Sequence, residues 1–163
     1  MVKFTEEFEC KADNKGRIML PAALRTKLAP VLPKGLVLKR AIFEHCLEIY
    51  TMEAWEKQME LVGNLNRFIK KHNDFIRQFT AGVRTVDVDN NGRLLIPKNL
   101  LTFAGITKEV VLSASIDRIE VWDKTKYNDV LDKGVETFPS LAEEVMGNSG
   151  KEKEAIQSAS CSP

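Results

Sequence analysis

The chain contains 163 residues, of which 44% are hydrophobic and 29% charged, with 24 Lys and Arg side chains against 23 Asp and Glu. This composition predicts one globular domain of ordinary size, or two small ones that share a core, and excludes wholesale disorder. No apolar stretch approaches the roughly 18 to 20 residues of a membrane-spanning helix, and the acidic start MVKFTEEFEC differs from a signal peptide. We therefore expect a cytoplasmic protein with no membrane partner, while the formal net charge of +1 by itself argues against a nucleic-acid binder.

The residue types that carry most enzyme and metal chemistry are scarce in this chain. Its cysteines and histidines show no metal-ligand spacing, and they are Cys10, Cys46, Cys161, His45 and His72. Neither a GxSxG elbow nor a phosphate-cradling GxxxxGK[ST] loop is present. We therefore expect no catalytic residue, metal site, cofactor or small-molecule substrate.

The first predicted unit, residues 1–55, begins with a strand, a tight turn and a second strand. Asp13 can hydrogen-bond the backbone of the turn, and Gly16 can supply the positive φ that such a turn needs. Pro21 ends the second strand and suits the start of a short helix. Two further strands, GLVLKRAIF and CLEIY, are rich in β-branched and aromatic residues.

Residues 56–80 form a predicted helical connector, because apolar side chains recur there at steps of three and four. The pattern indicates one amphipathic helix, or two that are broken near Gly63. Its aromatic residues could be taken for a base-stacking platform, but at helical spacing they are more typical of a core or a subunit interface. They are Trp55, Phe68, Phe75 and Phe79.

The second predicted unit, residues 81–127, repeats the first. The segment DNKGRIMLPAAL at 13–24 returns as DNNGRLLIPKNL at 89–100, with Asp89 and Gly92 in the turn positions. A unit of this size buries too little apolar surface alone, so we expect both copies to share one core with pseudo-two-fold packing. A C-terminal helical segment, 128–146, and a disordered tail, 147–163, complete the prediction.

The net charge is an average over unlike regions. Residues 1–80 carry a balance of +4 and residues 81–163 a balance of −3. The window 11–40 has one acidic residue against eight basic ones, which are Lys11, Lys15, Arg17, Arg25, Lys27, Lys34, Lys39 and Arg40. The equivalent window in the second unit is neutral. Because charges beyond about 8 to 10 Å are largely screened, we expect the first repeat to dominate any contact with a polyanion.

Arg17 and Arg93 occupy the same place in both repeats, directly after the turn. A guanidinium on a rigid hairpin could contact bases or phosphates, or it could pair with Asp13 or Asp89 and brace the turn. The other candidate DNA-binding residues are Lys11, Lys15, Arg25 and Lys98.

The D-x-x-x-R-x-x-x-P signature occurs twice, as Asp13, Arg17 and Pro21 and again 76 residues later. Together with RQFTAGVRTVDVDNNGRLLIP and DRIEVWD, it resembles the MraZ family within the SpoVT/AbrB-like group, over about residues 4 to 130. The resemblance implies an α+β, swapped-hairpin β-barrel formed by two tandem repeats, with helices after each. It also implies that the arginines after the turns lie on a DNA-binding face.

The same resemblance implies a nucleoid-associated regulator that binds double-stranded DNA. The family forms ring-like homo-oligomers on repeated sites upstream of the division and cell-wall gene cluster, usually as a repressor. Two alternatives stay open: an oligomeric structural or interaction protein, and a non-specific architectural DNA-binding protein. Salt dependence of binding would separate the first alternative from a DNA binder.

Overall fold

The computed structural model describes residues 1–147, which divide into two compact units, Met1–Lys124 and the residues from Thr125 onward. The predicted tail, 147–163, lies outside the described residues except for Gly147. Both repeated segments belong to the first unit.

Short strands and helices alternate along the first unit. Its strands are β1 (Glu7–Lys11), β2 (Arg17–Met19), β3 (Leu36–Arg40), β4 (Leu47–Thr51), β5 (Arg84–Val86), β6 (Arg93–Leu95), β7 (Glu109–Ser115) and β8 (Arg118–Asp123). Its helices are α1 (Ala22–Leu28), α2 (Met52–Gly63), α3 (Lys70–Thr80) and α4 (Lys98–Ala104). Pro21 and Pro97 cap α1 and α4, and Thr51 caps α2 by accepting a hydrogen bond from the backbone N–H of Ala54.

The strands form a six-stranded antiparallel sheet, in the order β1-β7-β8-β4-β3-β5, and a two-stranded sheet of β2 and β6. Each repeat places its first strand beside the third strand of the other repeat, since β1 pairs with β7 and β5 pairs with β3. Equivalent strands pair at the centre, β4 with β8 and β2 with β6. This exchange confirms the predicted α+β, swapped-hairpin fold of two tandem repeats.

One hydrophobic core serves both repeats. Ile18 and Leu94 face each other in the β2–β6 pair, and Ile49 faces Ile119 in the β4–β8 pair. All four side chains are buried in the same cluster. The contacts that close this main core therefore join the two repeats, and a smaller buried cluster of Val37, Tyr50 and Ala54 lies within the first repeat.

The opposite face of the large sheet carries buried charge. Lys39, only 1% exposed, lies 3.5 Å from Glu48 and places its Nζ 4.5 Å from the centre of the Phe79 ring. Glu48 also accepts hydrogen bonds from Tyr50 (3.3 Å) and Arg118 (3.2 Å). Desolvation lowers the pKa of Lys39. These partners compensate the buried charges.

The two repeats differ most at the hairpin tips of the six-stranded sheet. Six residues, 41–46, join β3 to β4, whereas two residues, 116–117, join β7 to β8. The repeat offset is 76 at the turn, 74 at the start of the third strand and 72 at the last strand, because Leu36 pairs with Thr51 and Val110 pairs with Asp123. The hairpin therefore accounts for half of the change in offset.

The second unit consists of α5 (Lys124–Gly134, which begins on the last residue of the first unit), α6 (Phe138–Ala142) and a π-helical turn (Glu143–Gly147). Several of its apolar side chains are exposed, among them Phe138 and Leu141. Among residues 1–147, no helix combines the length and apolar character needed to cross a membrane.

Candidate nucleic-acid interface

The first turn, residues 13–16, is organised by one carboxylate. Oδ1 of Asp13 accepts hydrogen bonds from the backbone N–H groups of Lys15 (2.9 Å) and Arg17 (3.0 Å). The backbone N–H of Gly16 donates to the carbonyl of Asp13 at 3.0 Å, and Gly16 has φ +83°. The Asp and the Gly thus have the structural roles that the sequence predicts.

The second turn, residues 89–92, repeats this geometry. Oδ1 of Asp89 accepts from the backbone N–H groups of Asn91 and Arg93, both at 2.9 Å. Gly92 has φ +78° and donates its N–H to the carbonyl of Asp89 at 2.9 Å. The two turns therefore present the following arginine on equivalent backbones.

Each arginine is braced by its aspartate through one nitrogen only. Arg17 Nε donates to Asp13 Oδ2 at 2.7 Å, and Arg93 Nε donates to Asp89 Oδ2 at 3.0 Å. No hydrogen bond within residues 1–147 uses the two terminal nitrogens of either guanidinium. Bracing therefore occurs, and it orients each guanidinium while its outer edge stays available.

The aspartates remain charged over a wide pH range. The backbone N–H of Arg17, with smaller contributions from its guanidinium and from Lys15, lowers the pKa of Asp13, and Arg93 and Asn91 do the same for Asp89. Both guanidiniums are thus held by ionised carboxylates at neutral pH.

Because β2 pairs antiparallel with β6, the two turns lie at opposite ends of one short two-stranded sheet. We call these two strands the ribbon. Arg17 lies opposite Leu95 and Met19 lies opposite Arg93, while the residues between them face the core. The arginines are therefore diagonal neighbours, which in an antiparallel pair places them about 7 to 8 Å apart. Met19 and Leu95, 46% and 52% exposed, fill the other two corners of this outer face.

The helices that follow the ribbon pack against the turns in a crossed manner. A Cβ added to Gly16 would lie 2.7 Å from Leu101 Cδ1 of α4 and 2.8 Å from the carbonyl oxygen of Ile96. A Cβ added to Gly92 would lie 2.5 Å from Arg25 Nη1 of α1. Each repeat thus covers the glycine of the other repeat, with Leu in one case and Arg in the other.

Arg25 therefore adds a positive charge to the second turn although it belongs to the first repeat. Its Nε is buried without a hydrogen-bond partner within the described residues. The sequence-based expectation that the first repeat dominates assumes that the basic residues of each repeat lie beside that repeat's own turn. Because Arg25 of the first repeat lies against the second turn, this assumption does not hold.

The three candidate lysines take different positions. Lys15 is exposed on the first turn, where the second turn has Asn91. Lys98 is exposed in the first helical turn of α4, three residues before Leu101, so it lies on the side of α4 that faces the first turn. Lys11 is exposed at the end of β1, opposite Glu109 of β7 and outside the ribbon.

Two residues of the outer face, Met19 and Leu95, are absent from the sequence prediction. The signal for them is the alternation in RIM and RLL, where only the middle residue faces the core. Apolar side chains between two arginines suit a surface that contacts both base methyl groups and phosphates.

The described residues contain no group of three or more His, Cys, Asp or Glu side chains that could hold a metal ion. Burial raises the pKa of Cys10 to about 11 and raises that of Cys46 as well, so both thiols are protonated at neutral pH.

Comparison with known proteins supports a relationship along almost the whole chain. A family model described as "MraZ protein, putative antitoxin-like" matches it twice, over residues 3–78 and 79–146. The chain belongs to the MraZ family. Each match contains one of the two Asp-to-Arg turns.

Relatives within the MraZ family align with this chain over nearly their full length. The protein named "Transcriptional regulator MraZ" from Christiangramia forsetii is 57% identical over 148 residues, which are 91% of this chain and 96% of that protein. Its namesake from Flavobacterium psychrophilum is 53% identical over 141 residues, 86% and 90% of the two chains. A third, from Bacteroides thetaiotaomicron, is 31% identical over 153 residues, 93% and 97%.

Proposed function

We propose that this chain is a DNA-binding transcriptional regulator that recognises a specific sequence through the outer face of the ribbon. The observation that carries the proposal is the diagonal pair of guanidiniums, Arg17 and Arg93, each fixed through Nε with its outer edge available. The names of the MraZ relatives support the regulatory part of the proposal.

A two-stranded antiparallel ribbon fits the major groove of B-DNA, which is about 12 Å wide. A guanidinium presented there can donate two parallel hydrogen bonds to guanine O6 and N7. The lysines around the turns, Lys15 and Lys98, would contact phosphates and set the position of the ribbon without reading sequence. Arg25, lying against the second turn, would add a contact there.

One ribbon offers few contacts, so a single protomer would bind weakly. We propose a ring-like homo-oligomer that places several ribbons on repeated DNA sites, since linked sites raise affinity by effective concentration alone. The regulator would act by binding alone, repressing the division and cell-wall gene cluster by occluding its promoter in the nucleoid.

Fluorescence anisotropy tests this function. The full chain is titrated with a duplex from upstream of its own gene cluster and with a scrambled duplex, between low and moderate salt. We expect a preference for the cluster duplex and a fall in log K with log salt of roughly 0.9 per phosphate neutralised. Arg17→Ala should reduce the preference, whereas Lys71→Ala, which removes an exposed charge on α3, should preserve it.

The two other functions give different curves. Equal affinity for both duplexes, with a steep salt slope, would indicate an architectural DNA-binding protein. A flat salt response with no duplex preference would indicate a structural or interaction protein and would overturn the proposed function.

A further inference from the structure

The six-stranded sheet ends in two unlike hairpin tips. The long tip, residues 41–46, precedes β4, and the short tip, residues 116–117, precedes β8. Leu47, at the start of β4, pairs with Val121, whereas Arg118, at the start of β8, pairs with Tyr50. Because β4 and β8 run antiparallel, the two tips lie at opposite ends of the sheet.

The long tip borders an aromatic recess of about 280 Å³. Phe75 and Phe79 of α3 and Phe103 of α4 line it, and the tip contributes Phe43, which is 91% exposed. A cavity of roughly 150 Å³ holds a benzene molecule, so this recess has room for a branched aliphatic side chain.

The short tip presents such a side chain. Ile116 is 67% exposed and has φ +63°, a conformation that a β-branched residue rarely adopts. Its carbonyl accepts a hydrogen bond from the backbone N–H of Phe4 at 2.8 Å, which holds the tip in place. Exposed apolar surface and a disfavoured backbone conformation on one residue are typical of a site selected for contact.

Charged groups of both signs lie beside each tip, and Glu44 of the long tip lines the recess together with Arg40. The Arg40 guanidinium stands 5.1 Å from the centre of the Phe103 ring, and no carboxylate within the described residues pairs with it. Asp117 follows Ile116 and is partly exposed, and its two carboxylate oxygens accept hydrogen bonds from the Arg118 guanidinium at 2.8 and 3.3 Å. An Ile116 side chain seated in the recess would bring Asp117 toward Arg40.

We infer that Ile116 of one copy inserts into the aromatic recess beside the long tip of the next copy. This inference rests on the proposed ring and names the surface that forms it. Since the two tips differ, the contact is head-to-tail, and head-to-tail contacts generate closed rings when the rotation between copies closes. The longer tip of the first repeat provides the recess, and the shorter tip of the second repeat provides the inserted side chain.

Native mass spectrometry of the full chain and of two variants tests the interface. Ile116→Gly removes the plug and also relieves the backbone, so the protomer should keep or raise its melting temperature while the assembly falls to monomers. Phe43→Ser, at an exposed position, should dissociate the assembly in the same way. A wild-type mass for either variant would overturn the inference.

Mixing the variants tests the head-to-tail geometry. Ile116→Gly retains an intact recess and Phe43→Ser retains an intact plug, so one wild-type contact can form between them. With one variant ¹⁵N-labelled, we expect a mixed dimer of one copy each and nothing larger. The absence of a mixed dimer would count against the pairing of these two surfaces.

A control and a DNA titration separate this inference from the proposed function. Phe68→Ser, at a fully exposed aromatic outside the recess, should retain the wild-type mass, and its dissociation would place the interface elsewhere.

Ile116→Gly should bind a single DNA site with unchanged affinity and lose roughly 10²-fold or more in affinity on a repeated site. If Ile116→Gly lacks single-site binding that the wild type shows, the tip is not a pure assembly surface and the inference fails. If the wild type forms rings but binds neither the single site nor the repeated site, the proposed function is wrong and the inferred interface still stands.

Discussion

The first and second turns share a backbone and differ in what surrounds it. Both have the same Asp-to-Arg frame, but the first has Lys15 and is covered by Leu101, and the second has Asn91 and is covered by Arg25. The backbones of the two turns thus follow the pseudo-two-fold symmetry, whereas the side chains around them do not. The comparison shows that a repeat can supply charge to its partner's turn rather than to its own.

The largest expected difference between the turns is in stability. An alanine at either glycine costs about 1 to 2 kcal/mol for the positive φ. Gly16→Ala also pushes Cβ against a backbone carbonyl and Leu101, which adds about 1 to 3 kcal/mol. Gly92→Ala meets only the flexible end of Arg25. Urea unfolding of both variants should therefore show the greater loss for Gly16→Ala, and equal losses would show that the crossed packing is as tolerant at both turns.

The arginines should differ less than the glycines. Arg17→Ala is expected to weaken specific DNA binding by about 1 to 3 kcal/mol, the scale for an arginine that reads a base. Arg93→Ala should cost a similar amount, because both guanidiniums have the same brace and nearly the same exposure. Anisotropy on one duplex measures both. A much smaller cost for Arg93→Ala would restore the expectation, drawn from charge along the sequence, that the first repeat dominates.

Exchanging the neighbours should change salt dependence rather than specificity. Lys15→Asn gives the first turn the second turn's residue, and Arg25→Leu gives the second turn the first turn's covering residue. Each should lower the salt slope of DNA binding by roughly one phosphate, about 0.9. Arg25→Leu should in addition stabilise the fold, because it removes a buried Nε without a partner. An unchanged slope would mean that the residue does not reach the DNA backbone.

The smallest expected effect concerns the aspartates, and it should be alike in both turns. The pKa of Asp13 is lower in the folded chain than its unfolded value of about 3.9, so its stabilisation is present above about pH 4 and is lost as the pH falls through the folded pKa. The melting temperatures of the wild type and Asp13→Asn should therefore differ at pH 7 and converge in acid, as the pH falls through the folded pKa of Asp13. Asp89→Asn should behave in the same way, and a difference that persists in acid would assign the effect to packing.

Much of the fold and part of the interface follow from local sequence patterns. The turns are predictable because Asp, Gly and Pro each impose a local conformation, and the repeated spacing identifies Arg17 and Arg93 as equivalent. The break between α2 and α3 lies near Gly63, as the composition indicates. Hydrophobic alternation likewise indicates that the middle residues of β2 and β6 face the core.

Long-range pairing is what local patterns do not reveal. The sequence contains no signal that Arg25 covers Gly92, because that contact depends on how the two repeats exchange strands. In the sequence, Lys39 is one of the eight basic residues in the window 11–40, but in the folded chain it is buried beside Glu48. In both cases the partner lies in another strand or repeat, and only the folded chain brings the two together.

The exchanged strands also determine when the large sheet can form during synthesis. Glu7 of β1 pairs with Ser113 of β7, so the N-terminal strand waits for a partner about a hundred residues later. At the usual 5 to 20 residues per second, that wait lasts on the order of 5 to 20 s of synthesis. During this interval an unpaired strand edge is exposed on the ribosome, where neighbouring nascent chains of the same message carry the same edge. Slow elongation on this message should therefore favour strand exchange between chains instead of within one.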